Sequence, residues 1–544
     1  MVARAWPSRR VSCDAVDAEP TVPPADLGRR RLAWSTAIFS LATGLSRILG
    51  LVREIVAAYY FGASGRINSF TVAFQIPNLV RALVADSALS SAFVPVFSEL
   101  LEKGERRRAW RVASSLFWLM LLGLGALTAF FILIAPLLLR PFHPVDPSLT
   151  VGLARVLFPI VALLGVSGIV VGILNSYDEF SIPALAPVAW NAAIIAGLAI
   201  GVPSAHSSNA KLYVYAASIL AATVIQVLLP IPWLRGKDDR LRVVIDWRDP
   251  AVRQTLKLML PVTLGLGLIN VNAVVDVFFA SRLIDPQLAP TAIDKAFRIY
   301  MLPQGMFSVA VATVLFPTLS RQAARADIDG FRSTIALGLR QIAFLLVPAS
   351  IVSAVLAAPI VRLLYQHGAF TSHNTTVVAG ALAAFSLGLT FNGTMLMLNR
   401  AFFSLQSNWI PTIVAFANLG VNAALDAAFY RFGIWGIPLS TSIVNIAGTA
   451  ALIVLLRRRL GHFDFAGIST AFMRVLLAAA LSGAAAFAVW KPIDLAAGRG
   501  LGGQLASVVP AFLAAALVYL VACRALKVRE LQALLSLRGR LRGA

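Results

Sequence analysis

Four arginines fall inside apolar runs long enough to cross a bilayer. Arg47 and Arg53 lie in the run from Trp34 to Phe61, Arg81 in the run from Phe70 to Phe97, and Arg298 in the run from Ile293 to Leu319. On insertion scales an arginine near a helix centre costs roughly 2.5–3.5 kcal/mol, so four cost on the order of 10 kcal/mol. The guanidinium cannot shed its proton, and its planar fork of donors suits bidentate capture of phosphate oxygens. Carboxylates stand close by: Glu54 beside Arg53, Asp86 five after Arg81, and Asp294 four before Arg298. A spacing of four predicts Asp294 and Arg298 on one helix face, able to pair, with Lys295 a second cation on nearly the same face. The simpler reading is that each arginine is neutralised by its neighbour or snorkels to an interface. Against it, the cations Arg47, Arg53, Arg81, Lys295 and Arg298 outnumber Glu54, Asp86 and Asp294, and the excess suits a polyanionic headgroup.

The elements that must hold these charges are membrane helices. The 544 residues are 58% hydrophobic and 13% charged, with mean hydropathy +0.80, against about one quarter charged in a soluble domain. A bilayer needs about 20 apolar residues per helix. On that ruler fourteen spans are expected, over 33–62, 68–101, 109–139, 149–175, 182–201, 211–234, 252–282, 293–320, 333–357, 376–400, 409–430, 434–456, 472–490 and 504–523. The first, second and eighth are overlong and carry Gly44, Gly50, Pro77, Pro95, Pro303 and Pro317, which predicts bent or tilted helices around a cavity.

The net charge of +22 does not indicate nucleic acid, because the basic residues sit in short connections between apolar runs. Of 47 Lys and Arg, 31 fall on the side of the N-terminus and 8 on the other, which predicts both termini in the cytoplasm. Cys13 and Cys523 are the two cysteines and the five histidines are scattered, which excludes disulfide frameworks and cysteine metal sites. Residues 1–32 read as a disordered cytoplasmic tail. A weak internal repeat pairs Ala73-Phe74-Gln75-Ile76 with Ala296-Phe297-Arg298-Ile299, six spans apart. This predicts two halves in the same orientation: 33–240 and 241–460 as six-helix bundles, 461–528 as two added helices, and 529–544 as a basic cytoplasmic tail. A second polar constellation joins Asp276 in the seventh span to Asn422 and Asp426 in the eleventh, hard oxygens that suit a small cation. Its plainer reading is a buried Asp–Asn hydrogen-bond cluster.

The run Leu45-Ser46-Arg47-Ile48-Leu49-Gly50-Leu51-Val52-Arg53-Glu54, then Ala73-Phe74-Gln75-Ile76-Pro77-Asn78-Leu79-Val80-Arg81, then Ala92-Phe93-Val94-Pro95, closely resembles the MurJ (MviN) family. These are lipid II flippases of the multidrug/oligosaccharidyl-lipid/polysaccharide exporter superfamily. Phe180-Ser181-Ile182-Pro183 and the stretch from Arg298 to Pro303-Gln304-Gly305 strengthen the resemblance. It implies that Arg47, Arg53, Arg81 and Arg298 hold the lipid-linked diphosphate, with Glu54, Asp86, Asp294 and Lys295 as coupling or ion-pair partners. It also implies a sodium site at Asp276, Asn422, Asp426, the Ile437 carbonyl and Thr441, and no other cofactor. The chain departs from the family pattern at Asn68, Phe297 and Met301, where relatives often carry acidic residues.

The expected protein is an all-α polytopic transporter, not an enzyme, in the bacterial cytoplasmic (inner) membrane. Its expected cargo is lipid II, carried outward by alternating access for cell-wall synthesis. Membrane lipids and cell-wall synthesis and division proteins are the other expected partners. Rival readings are a flippase for another undecaprenyl-diphosphate-linked oligosaccharide and a transport-inactive scaffold. A membrane glycosyltransferase is disfavoured because no connecting loop is long enough to carry its catalytic carboxylates.

Overall fold

Long apolar sequences have one economical fold in hydrocarbon, the helix, because it satisfies its own backbone. The computed structural model describes residues 25–84, 88–407, 409–461 and 465–532, and among these it contains helices and no strand. The first half of the chain runs through α1 (Ala25–Phe61), α2 (Ile67–Val84), α3 (Ala88–Glu102), α4 (Arg106–Leu139), α5 (Pro147–Leu157), α6 (Pro159–Ser176), α7 (Ser181–Ser204) and α8 (Ser208–Leu228). The second runs through α9 (Pro250–Phe279), α10 (Ala289–Pro303), α11 (Val309–Ala324), α12 (Ile328–Val355), α13 (Ala357–Tyr365), α14 (Ser372–Ser404), α15 (Trp409–Phe429) and α16 (Gly436–Leu460). The last two helices are α17 (Phe465–Ala497) and α18 (Leu501–Ala525). Eleven helical runs among the described residues are long and apolar enough to cross a membrane, by length and composition.

Several expected elements are corrected. Of the 1–32 stretch expected to be a disordered tail, residues 25–32 lie in α1, where Leu27 and Arg29 to Arg31 are good helix formers, and residues 1–24 lie outside the described residues. The second expected span is described as α2 and α3 on either side of residues 85–87; Asp86 falls among these, outside the described residues. The fourth is broken between α5 and α6, where Pro159 cannot donate a backbone hydrogen bond. The eighth ends its first part at Pro303 and passes through a π turn, Gln304–Ser308, before α11. A second π turn, Ala280–Ile284, closes α9.

Loop-to-helix junctions use side-chain capping. Asp146 accepts from the Leu149 N–H at 3.0 Å, Asp327 from Gly330 at 2.9 Å, and Thr371 from Asn374 at 3.2 Å. The buried apolar side chains fall mainly into two large clusters. One is built around Phe70, Leu153, Phe158, Leu198 and Tyr215, and the other around Tyr300, Phe331, Tyr365, Phe385 and Phe402. A third, with Phe93, Phe97 and Trp110, joins α3, α4, α6 and the start of α9. Helices α17 and α18 pack on each other and on α12, tied there by the Tyr519 hydroxyl donating to the Phe344 carbonyl at 2.6 Å. Large apolar side chains such as Leu133 and Leu517 point outward, as on a surface wetted by lipid.

Candidate functional site

Glu54 of α1 is the centre of a charged knot between the two parts of the chain. Its carboxylate meets Arg53 Nη2 at 2.6 Å, Lys295 Nζ at 2.7 Å and Arg298 Nη1 at 3.3 Å. Neighbouring residues on a helix normally diverge, so Arg53 reaches its own neighbour only by curling its long side chain back. Lys295 also donates to the Glu54 backbone carbonyl at 3.3 Å and lies 5.5 Å from the Tyr365 ring centroid. Arg298 is held from its own helix by Asp294 at 2.8 Å. The side chains of Glu54 and Lys295 are each 6% exposed, so neither charge can stand alone there without a large desolvation cost.

Arg53 is further fixed by Asn191 of α7, whose Oδ1 accepts from Nη1 at 3.2 Å, and by the Trp190 ring 4.8 Å from its guanidinium carbon. Asn191 in turn donates to the Pro187 carbonyl at 3.0 Å and the Ser46 carbonyl at 3.3 Å. Beside the knot lies a small cleft of about 30 Å³, lined by Glu54, Phe70, Tyr215, Asp294, Lys295 and Arg298 among others. Arg47, two turns before Glu54, is exposed and reaches the π turn after α10. A Cβ on Gly305 would collide with Arg47 Nη1, so only glycine lets the guanidinium come this close. Arg81 stands apart from the knot and is bonded to Asn78 Oδ1 at 3.0 and 3.2 Å.

The departures at Asn68, Phe297 and Met301 have physical accounts in two cases. Asn68 is 1% exposed and clamps the start of α2 to the start of α10. Its amide nitrogen donates to the carbonyls of Gln287, Ala63 and Gly65 at 2.6, 3.0 and 3.1 Å, and its oxygen accepts from the Thr291 N–H at 2.9 Å. A carboxylate has no hydrogen to give these carbonyls, so this geometry demands an amide. Phe297 stacks on Tyr300 and packs against Phe385, with ring centroids 5.7 and 5.6 Å apart; it is core. Met301 is exposed, and nothing in the structure explains it.

The same end of the molecule is closed by further direct contacts. The Thr71 and Thr291 hydroxyls share a hydrogen at 2.8 Å, Gly65 donates to Gln287 at 2.7 Å, and Ala369 donates to Tyr59 at 2.8 Å. Gly62, at φ +66°, sits where a Cβ would lie 2.6 Å from the Ala369 carbonyl oxygen.

Asp276, Asn422 and Asp426 form a second buried cluster. The Asn422 amide donates to Asp276 Oδ1 at 2.9 Å and to Asp426 Oδ2 at 3.0 Å, and Asn272 adds weak bonds to Asp276 at 3.4 Å. The hydroxyl on Asp426 is that of Ser440, which sequence reasoning missed; Thr441 bonds only to the Ile437 carbonyl, at 3.3 Å. One residue of register on α16 separates the two hydroxyls, and only a helix angle could have told them apart. Asn422 Oδ1 is buried with no donor. Two carboxylates, a free amide oxygen, a hydroxyl and a nearby carbonyl are the hard donor set of a small cation such as sodium.

The described residues are helical, with several runs long and apolar enough to span a membrane, and this fold is shared with transporters of known structure. An inward-facing MATE-family transporter of the MOP superfamily superposes with a TM-score of 0.60 over 78% of this chain and 94% of that one, at 18% identity. A lipid II flippase MurJ in an inward closed conformation gives a TM-score of 0.74 at 25% identity, over 90% of this chain and 99% of that one. Residues 57–493 match the family described as lipid II flippase MurJ, and the chain belongs to that family. Lipid II flippase MurJ of Burkholderia cenocepacia is 30% identical over 431 residues, covering 77% of this chain and 82% of its own. The probable lipid II flippase MurJ of Rhizobium meliloti is 30% identical over 493 residues, covering 88% and 91%.

Proposed function

We propose that this protein moves lipid II from the cytoplasmic to the outer leaflet of the bacterial inner membrane by alternating access, supplying cell-wall synthesis. The observation that carries this reading is the knot on Glu54, where cations from α1 and α10 meet at a cleft. Counting Arg47, the group holds four cations, Arg47, Arg53, Lys295 and Arg298, against the carboxylates of Glu54 and Asp294. The surplus of two positive charges matches a diphosphate, and guanidinium forks suit its oxygens. Before cargo arrives, Glu54 keeps the cations paired and the buried charge tolerable; a diphosphate would then exchange with Glu54 for Arg53 and Arg298. Arg81, outside the knot, would act at entry.

Fourteen spans, both termini in the cytoplasm, and two six-helix bundles rocking about the cavity complete the reading, with α17 and α18 as an appendage. Asp276, Asn422, Asp426, Thr441 and the Ile437 carbonyl would hold a sodium ion, with Ser440 bonded to Asp426 beside it, and the ion's charge would join α9 to α15 and α16. Other undecaprenyl-diphosphate cargoes share the headgroup chemistry, so the test is cellular. The wild-type chain is expected to rescue bacteria depleted of their own lipid II flippase. Variants Arg47→Ala and Arg298→Ala should reach the membrane at normal levels and fail to rescue. Full rescue by both variants would remove the diphosphate assignment, and no rescue by the wild type would remove lipid II.

A further inference from the structure

The segment joining α8 to α9 is an exposed amphipathic ribbon lying along the first turns of α4. Its backbone is held there at Arg242 and Asp246. Arg242 N–H donates to Ser114 Oγ at 3.0 Å, Asp246 N–H to Ser115 Oγ at 3.2 Å, and Trp118 Nε1 donates to the Arg242 carbonyl at 2.9 Å. At alternate positions Val243, Ile245 and Trp247 stand out, 77, 49 and 55% exposed. Three consecutive outward positions are therefore apolar in a segment with no protein partner over them among the described residues.

The rim of this face is basic. Arg248 and Arg253 flank the Trp247 ring at 5.2 and 5.4 Å, and Arg240 and Arg242 are exposed at the other end. The neighbouring start of α4 adds Arg106, Arg107 and Arg111. Across 103–111 and 235–253 there are eleven basic and five acidic residues, and the acids are engaged within the protein. Asp238 takes Arg106 at 2.6 Å and the Tyr177 hydroxyl at 2.7 Å, Asp239 takes Arg242 at 3.1 Å, and Asp246 and Asp249 cap backbone amides. What remains outward is apolar side chains among arginines, the make-up of a surface that inserts at a headgroup boundary.

We infer that residues 240–253 form an anchor for anionic phospholipid, seating Val243, Ile245 and Trp247 among the headgroups while the arginines pair with lipid phosphates. The depth fits, because α4 spans 34 residues where about 20 cross the hydrocarbon, so the turns bearing Ser114, Ser115 and Trp118 have length to spare at the interface. The ribbon is also the link between the two parts of the chain. Fixing it to one leaflet gives both a common point of reference, whatever the cargo.

The test uses the full chain with Cys13→Ser, Cys523→Ala and Ile245→Cys, labelled with an environment-sensitive fluorophore. It is reconstituted in nanodiscs of phosphatidylcholine alone, or mixed in equal parts with phosphatidylglycerol. A label at Arg499→Cys, an exposed position in another loop, reports full access to water. In phosphatidylglycerol discs the label at 245 should be blue-shifted and shielded from acrylamide relative to 499, because a side chain seated among headgroups is withdrawn from water. A variant with Arg240, Arg242, Arg248 and Arg253 changed to Gln should lose the shielding while its melting temperature stays near that of the parent. Equal quenching at 245 and 499 in anionic discs would overturn the anchor. Equal shielding in both lipids, or shielding that survives the four Gln substitutions, would overturn its anionic selectivity.

Discussion

Glu54 carries more of the site than any arginine does, because one carboxylate pairs with three cations contributed by two distant helices. Glu54→Gln is expected to cost about 3–5 kcal/mol, since it leaves Lys295 buried without a counter-charge. Glu54→Gln combined with Lys295→Met should recover more than about 1 kcal/mol of that loss. Thermal unfolding of the four proteins of this cycle checks both, and strictly additive losses would mean the two residues do not depend on each other. Some of this was legible in the sequence. A spacing of four residues announced the bond between Asp294 and Arg298, and the count of cations against carboxylates announced a positive surplus. The reach of Lys295 to Glu54, 241 residues away, was not, because local spacing says nothing about which helices meet. Asn68 read as a missing acid until its three carbonyl acceptors were visible.

At the scale of elements, hydropathy located the helices well, since hydrocarbon leaves the backbone no alternative to satisfying itself. It did not locate their interruptions. The break between α5 and α6 and the π turns after α9 and α10 depend on how proline and packing trade individual hydrogen bonds, which an apolar run conceals. Register along a helix was also beyond reach: the Ser440 hydroxyl that bonds Asp426 was not singled out from the sequence. The oxygen cluster between α9, α15 and α16 yields its own expectation. Sodium, compared with choline at equal ionic strength, should raise the melting temperature by several degrees, corresponding to about 2–3 kcal/mol at 100 times the dissociation constant. That increment should vanish in Asp276→Asn, Asp426→Asn and Ser440→Ala. A shift that persists in all three would mean sodium acts elsewhere.

For the whole molecule, the closed end at Asn68, Thr71 and Gly62 means that the cleft beside Glu54 is sealed on that side by hydrogen bonds rather than by bulky side chains. Asn68→Asp should open it, since each buried carbonyl left without its donor costs about 1–3 kcal/mol. In cells carrying Thr71→Cys, a membrane-impermeant thiol reagent added from outside should label the Asn68→Asp protein several-fold faster; equal rates would show that Asn68 does not hold the seal. Once the seal is open, the π turn at Gln304–Ser308 gives α10 a way to move. Such a turn stores one surplus residue, and a residue of helix is worth about 100° of rotation. If the surplus migrates out, α10 turns like a key relative to α11, carrying Lys295 and Arg298 off Glu54, while no helix has to break. Deleting Met306 should freeze the turned position, and a Glu54→Cys/Lys295→Cys pair that cross-links in the parent should then fail to do so.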